Sequence, residues 1–247
     1  MFSIDKVSMS YRSGVFFSGK RHSVLSDISF QWTPGECLGI IGESGSGKST
    51  LGKLLLGIQK PDSGTILWNG KAVTDHKNRR GSISAVFQDY TSSINPFYTV
   101  EKALLEPLLH IGASGKPPYP VLDSLLEQVG LDSSCRGKYP HELSGGEAQR
   151  VCIARALSTK PQCILFDEAI SSLDGSVQMQ ILELLKELSS TEKMGFIFIT
   201  HDIGAAAYLC SRLIIMQDGT IREIVHTDQL KSVETSYAKK LLNSVIL

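Results

Sequence analysis

No apolar stretch in this chain reaches the roughly 18–20 residues that a membrane-spanning helix requires. The opening residues, Met1-Phe2-Ser3-Ile4-Asp5-Lys6, lack the basic-then-apolar pattern of a secretory leader, so none is expected. A basic excess is missing too. Lys and Arg total 25 and Asp and Glu total 25, which leaves no net field to draw the chain onto nucleic acid. Cysteine is sparse: Cys37, Cys135, Cys152, Cys163 and Cys210 are odd in number and never spaced as C-x-x-C. That pattern excludes a disulfide framework or zinc ribbon and points to reduced thiols in a cytosolic setting, most of them in apolar runs that suit burial. Internal repeats, low-complexity tracts and a disordered tail are also absent. What remains is 247 residues, 42% of them hydrophobic, enough for one large α/β domain with a smaller helical lobe.

Alternation at Val7, Met9 and Tyr11 and again at Ile28, Phe30 and Trp32 predicts two half-buried strands, joined by a loop over Ser13–Ser23. Phe16 and Phe17 in that loop either touch a partner or fold back onto the domain. Thr33-Pro34-Gly35-Glu36 is a turn before a short buried strand, Cys37–Ile41. A helix over Ser49–Leu56 follows, then a hairpin strand at Thr65–Trp68 bracketed by turn residues. Ile83–Phe87 is another strand, ended by Gln88. Gly112, Gly115, Pro117 and Pro118 then interrupt helical stretches at Val100–Leu109 and Val121–Val129, the texture of an inserted helical lobe. Apolar strands return at Cys163–Phe166 and Phe196–Ile199 around a helix near Ser176–Leu188. Strands separated by helices imply right-handed crossovers and a parallel core. Asp218-Gly219 turns a late hairpin, and Ser236–Val245 is a terminal helix.

Chemistry enters at Gly42-Glu43-Ser44-Gly45-Ser46-Gly47-Lys48-Ser49-Thr50, which fits G-x-x-x-x-G-K-[ST]. Glycines let the backbone curl until several N–H groups face phosphate oxygens, and the helix that begins there adds positive potential. Lys48 is placed to reach the β- and γ-phosphates and the Ser49 hydroxyl to ligate Mg²⁺. A glycine-rich turn could match by chance, but the strand before it and the helix after it speak against that. Downstream, the apolar strand from Cys163 ends in Asp167-Glu168. A carboxylate at a strand tip suits the Mg²⁺ shell, a role for Asp167, and Glu168 would act as general base toward water. Seen alone, the same acids could cap a helix. Ser144-Gly145-Gly146-Glu147 reads as S-x-x-E, a capping box whose two glycines keep the helix start open to close approach.

The octapeptide Leu143-Ser144-Gly145-Gly146-Glu147-Ala148-Gln149-Arg150 resembles the signature of the ATP-binding cassette (ABC) family. The remaining family motifs follow in order: phosphate loop, Gln88 as the Q-loop glutamine, the signature, the acidic strand, Asp174 at the D-loop and His201 as the switch histidine. The resemblance implies a P-loop NTPase of ABC type. Its mainly parallel core sheet and antiparallel β subdomain would occupy about residues 1–87 and 162–247, with an inserted helical subdomain over about 88–161. It implies ATP and Mg²⁺ as ligands, with Ser49, Gln88 and Asp167 around the metal. His201 would contact the γ-phosphate and hold Glu168 and water in line. Tyr11 would stack on adenine, though a tyrosine at a strand end has an ordinary structural reading as well. In this family the signature of one subunit, here Ser144, Gly145, Gly146 and Glu147, closes over nucleotide held by another.

Phe87-Gln88-Asp89 with Ser92-Ser93-Ile94-Asn95-Pro96, and Tyr139-Pro140-His141-Glu142 before the signature, are similar to the peptide/nickel importer ATPases. Ala169 stands where many peptide-type subunits carry Pro, and the chain ends at Leu247 without their Cys-containing extension. Both features favour a metal or metal–chelator importer over an oligopeptide importer. The implied partners are a second ATPase (paralogue or self), two permease subunits and an extracytoplasmic solute-binding protein, with the chain peripheral on the cytoplasmic face of the bacterial inner membrane. The competing readings are a split exporter cassette and a soluble non-transport ABC ATPase.

Overall fold

The computed structural model describes residues 1–13, 20–89, 93–112, 119–192 and 194–243. Phe16, Phe17, Ser92, Gly115, Pro117, Pro118 and the end of the terminal helix expected at Val245 lie outside the described residues. Along the chain come β1 (Phe2–Ser13), β2 (Lys20–Trp32), β3 (Cys37–Ile41), α1 (Lys48–Leu55), β4 (Ser63–Trp68), β5 (Lys71–Ala72), α2 (His76–Arg79) and β6 (Ile83–Phe87). Next are α3 (Val100–His110), α4 (Tyr119–Gln128), 3₁₀ turns at Ser133–Gly137 and Pro140–Glu142, α5 (Gly145–Leu157), β7 (Cys163–Asp167) and α6 (Gly175–Glu192). The chain continues with β8 (Gly195–Thr200), α7 (Ile203–Leu209), β9 (Arg212–Gln217), β10 (Thr220–His226), a 3₁₀ turn at Thr227–Ser232 and α8 (Ser236–Asn243). The fold is α/β, with parallel core strands, an antiparallel sheet and helices. Among the described residues, no helix is long and apolar enough to cross a membrane.

Met1–Arg79 and Gly195–Leu247 form one compact unit, and Arg80–Met194 another. In the first, an antiparallel sheet runs β2-β1-β4-β5. Phe2 faces Trp32, Ile4 faces Phe30 and Tyr11 faces His22, so the β1–β2 ladder runs further into the expected loop than the apolar alternation suggests. Bulges between Ile4 and Ser10 let the strand turn without losing its buried face. Phe2, Trp32 and Trp68 form one aromatic cluster, with Phe2–Trp68 centroids 4.6 Å apart and the two indoles stacked at 5.8 Å. The Trp32 indole N–H donates to the Glu36 carbonyl at 3.0 Å, which satisfies the one polar group that burial would otherwise strand.

The same unit holds β3 between β8 and β9, both parallel to it. Every residue of β3 and β8 is buried, as expected of strands covered on both faces. Ile41 lies opposite Thr200, so Gly42 and His201 emerge side by side from the carboxyl ends of neighbouring strands. Open α/β sheets bind their ligands at that edge. The β9–β10 hairpin turns through Asp218 (φ 47°) and Gly219 (φ 73°), the left-handed pair that a tight two-residue turn requires.

In the second unit β6 and β7 pair in parallel, with Phe87 opposite Asp167. Helix α5 is tied to its neighbours through arginines. Arg155 reaches Glu106 of α3 at 2.7 Å and the Ser93 carbonyl at 2.9 Å, while Arg150 reaches the Val129 carbonyl at 2.7 Å. All five cysteines are buried, and none forms a disulfide. Burial pushes the Cys152 thiol up to about 12 and the Cys210 thiol well above its ordinary value, so both stay protonated and unreactive near neutrality.

Candidate functional site

The phosphate loop starts where β3 ends and closes at the first residue of α1. Gly45 and Gly47 have φ of 84° and 99°, conformations that side chains rarely adopt. A Cβ at Gly47 would also lie 2.7 Å from Leu25 Cδ2 and 2.8 Å from the Val24 carbonyl, so β2 forms a wall against which only glycine fits. Gly47 is the N-cap of α1 and supplies no side-chain cap, so the first-turn N–H groups are presented as a block, with no acid in that turn to oppose an anion. Lys48 is buried. Its ammonium donates to the carbonyls of Gly42 at 2.7 Å and Glu43 at 3.0 Å, which holds the charge inside the curl of the loop.

Three further ties fix that curl. The Ser46 N–H donates to the Glu43 carbonyl at 3.2 Å, and the Gly219 N–H donates to the Ser46 carbonyl at 3.1 Å. The Glu43 N–H donates to the Tyr237 hydroxyl at 3.3 Å. Tyr237 lies in the first turn of α8, whose start is bound by the Glu223 carboxylate through the N–H groups of Glu234 and Thr235 and the Thr235 hydroxyl. The sequence gives no sign of this brace, because its partners lie 194 residues apart. Thr50 follows Ser49 in the first turn of α1, and His201 stands exposed one residue past β8. Asp202, next to it, caps α7 by accepting from the Ala205 N–H at 2.9 Å.

In the second unit the β6–β7 register places Gln88 and Glu168 each one residue beyond paired strand ends, with Asp167 buried as the last residue of β7. Glu168 has φ of 52°, a left-handed conformation that costs a non-glycine residue about 1–3 kcal/mol and marks functional turns. Its carbonyl accepts from the Ser171 N–H at 3.2 Å and hydroxyl at 2.8 Å, which locks the turn. Further on, Asp174 Oδ1 accepts from the Val177 N–H at 3.1 Å and the Ser176 hydroxyl at 2.8 Å, and these bonds hold its carboxyl below the usual range.

The signature forms the expected capping box. Ser144 Oγ accepts from the Glu147 N–H at 3.2 Å, and Glu147 accepts from the Ser144 N–H at 2.8 Å. Lys138 lies 3.3 Å from Glu147, so the Ser144 bonds and this ammonium together lower the Glu147 carboxyl. Beside the box is a cavity of about 520 Å³ lined by Lys138, Ser144, Gly146, Arg150 and Val177 among others. The start of α5 packs on α6 there: a Cβ at Gly146 would lie 2.8 Å from Val177 Cγ1. Gly146→Ala is therefore expected to lower the unfolding free energy by about 1–3 kcal/mol through overpacking. Adding Val177→Ala should recover part of that loss. Urea denaturation of the parent and the two variants checks it, and a fully stable Gly146→Ala protein would contradict the packing.

The structure thus gathers the glycine loop, Lys48, Ser49 and His201 at one sheet edge of the first unit, and Gln88, Asp167 and Glu168 at one strand edge of the second. Ser144–Glu147 and the Asp174 turn meet through Gly146 and Val177, also in the second unit. Sequence reasoning missed Tyr237 and Lys138, and also Gln59, which accepts a bond from Tyr11.

A buried strand, a glycine curl around a lysine and an uncapped helix start define a phosphate-loop nucleotide-binding protein of the α/β class. The ABC transporter family matches residues 25–171, and the chain belongs to that family. The fold of this family binds ATP, and ATP hydrolysis is the activity the family implies. The metal-staphylopine import system ATP-binding protein CntF of Staphylococcus aureus (strain NCTC 8325 / PS 47) is 48% identical over 243 residues, 98% of each chain. The nickel import ATP-binding protein NikE of Rhodospirillum rubrum is 40% identical, covering 87% of this chain and 80% of that protein. Among solved structures, the dimeric post-hydrolysis state of the ATP-binding cassette MJ0796 bound to ADP and Pi superposes with a TM-score of 0.82. That match has 28% identity and covers 92% of this chain and 99% of that one.

Proposed function

We propose that this chain is the ATP-hydrolysing subunit of a bacterial importer that takes up a metal or metal–chelator complex through separate permease subunits. The observation that carries the importer reading is the end-to-end 48% identity to a metal-staphylopine import ATPase. The loop N–H groups and Lys48 hold the phosphates, and Tyr11 stacks on adenine. The Ser49 hydroxyl, the Gln88 amide oxygen and the Asp167 carboxylate are hard oxygen donors of the kind Mg²⁺ takes, and they would hold it. Bound there, Mg²⁺ would offset charge on the phosphate oxygens. Glu168 takes the proton of the attacking water as the water oxygen bonds to the terminal phosphorus. The bond from that phosphorus to the β–γ bridging oxygen breaks, ADP and inorganic phosphate leave, and His201 contacts the transferred phosphate. Residues of about 88–161 form a helical lobe bearing the signature on a catalytic core of about 1–87 and 162–247.

Ser144, Gly145, Gly146 and Glu147 then cover nucleotide held by a second ATPase subunit, and Asp174 lies at the seam. ATP must bind the closed pair better than the open one, and this differential affinity drives the cycle. The pair works on the cytoplasmic face of the cell membrane beneath two permease chains, supplied by an extracytoplasmic binding protein. Two relatives named for metal import and the Asp167-Glu168-Ala169-Ile170-Ser171 run favour metal cargo over oligopeptide. Purification of the tagged chain with its companions, followed by ATP-driven transport in vesicles, tests the reading. Two permease chains should co-purify, and radiolabelled nickel, free or chelated, should accumulate on the binding-protein side's opposite face. Uptake of labelled peptide instead would move the cargo to the oligopeptide class. Transport in the reverse direction, or no permease at all, would overturn the importer.

A further inference from the structure

The Tyr11 hydroxyl donates a 2.6 Å hydrogen bond to Oε1 of Gln59, in the turn that follows α1. Three residues on, Asp62 holds the preceding residue of β1: its Oδ2 accepts from the Ser10 N–H at 2.8 Å and the Ser10 hydroxyl at 2.6 Å. The Asp62 N–H in turn donates to the Ser8 carbonyl at 2.9 Å. One short segment therefore pins β1 at Ser8, Ser10 and Tyr11, by main chain, side chain and ring. The Tyr11 residue itself is 37% exposed, so the tie at its hydroxyl leaves part of the ring open.

Position gives this contact its meaning. Met9 pairs with Leu25, and Leu25 is the residue that stands against Gly47 of the phosphate loop. Tyr11 lies two residues further along the same strand, about 7 Å on. The segment that grips Tyr11 is the exit of α1, and the phosphate loop is the entry of the same helix. A ring held in one orientation before ligand arrives loses less side-chain freedom on binding than a ring that must be ordered by it.

We propose that Gln59 is a positioning residue for base recognition: it sets the Tyr11 ring through its hydroxyl and ties base stacking to the far end of the phosphate-loop helix. This rests on the reading of Tyr11 as the residue that stacks on adenine. A bond that only braced the sheet would change melting temperature and leave ligand discrimination alone.

The test is the affinity of the full-length chain for ATP and for inorganic tripolyphosphate, which carries the charge and lacks the base. Gln59→Leu and Tyr11→Phe should each weaken ATP about twofold to tenfold, the size of one ordinary hydrogen bond, and leave tripolyphosphate unchanged. The double variant should be no weaker than either single one, because both remove the same interaction. Gln59→Glu, which keeps an acceptor, should retain parental discrimination. If Tyr11→Ala weakens ATP alone while Gln59→Leu and Tyr11→Phe change neither ligand, stacking stands and the Gln59 role is lost. If Tyr11→Ala leaves the ATP-to-tripolyphosphate ratio untouched, the stacking reading fails and takes the proposal with it. Equal weakening of both ligands by Gln59→Leu would also overturn it.

Discussion

Glu168→Gln is expected to bind ATP as tightly as the parent and to hydrolyse it about 10²–10³-fold more slowly, the loss that follows removal of a positioned general base. The substitution keeps the size of the side chain and removes its proton-accepting carboxylate. Position argues for the role. Glu168 stands one residue past β7, beside the buried Asp167, and its left-handed turn is locked by the two Ser171 bonds. Binding should survive because the loop, Lys48 and Asp167 are untouched. Turnover in the assembled complex and equilibrium nucleotide binding are the two measurements. Parental turnover in the variant would remove Glu168 from the chemistry.

Lys48→Ala should act on the other quantity. Hydrogen bonds to charged groups are worth about 1.5–3 kcal/mol each, so losing the ammonium should weaken ATP about 10- to 150-fold. Tripolyphosphate should weaken in parallel, since the role proposed for the lysine is toward phosphate and not the base. The same ammonium bonds the Gly42 and Glu43 carbonyls, so the variant also loses two ties that shape the loop. A small fall in melting temperature should accompany the affinity change. Calorimetric titration that found parental affinity for both ligands would contradict the assigned role.

The loop could be read from sequence because its chemistry is local. Eight consecutive residues carry the glycines, the lysine and the hydroxyl, and the apolar run of β3 fixes which end of the strand they leave. The signature was readable for a similar reason: its box closes within four residues, and Ser144 and Glu147 bond as the spacing demands. Long-range ties had no such signal. Tyr237 meets the loop across 194 residues and Gln59 meets Tyr11 across 48, and neither belongs to a motif. Helices α2 and α7 were also missed. His76–Arg79 is too short for apolar periodicity, and Ile203–Leu209 is carried by alanines that sit equally well in a buried loop. The positive φ of Glu168 could not be foreseen either, because glutamate, unlike glycine, asparagine or aspartate, carries no sequence signal for that conformation.

One measurement reaches the heart of the proposed mechanism: sedimentation velocity of Glu168→Gln, alone and with the ATPase that co-purifies with it, at saturating ATP and Mg²⁺. Two ATPase subunits should sediment together with ATP and separate with ADP, and Ser144→Arg should abolish the pairing by filling the open helix start. A single-subunit species under every nucleotide condition, with or without the companion, would mean that no second chain covers the bound triphosphate.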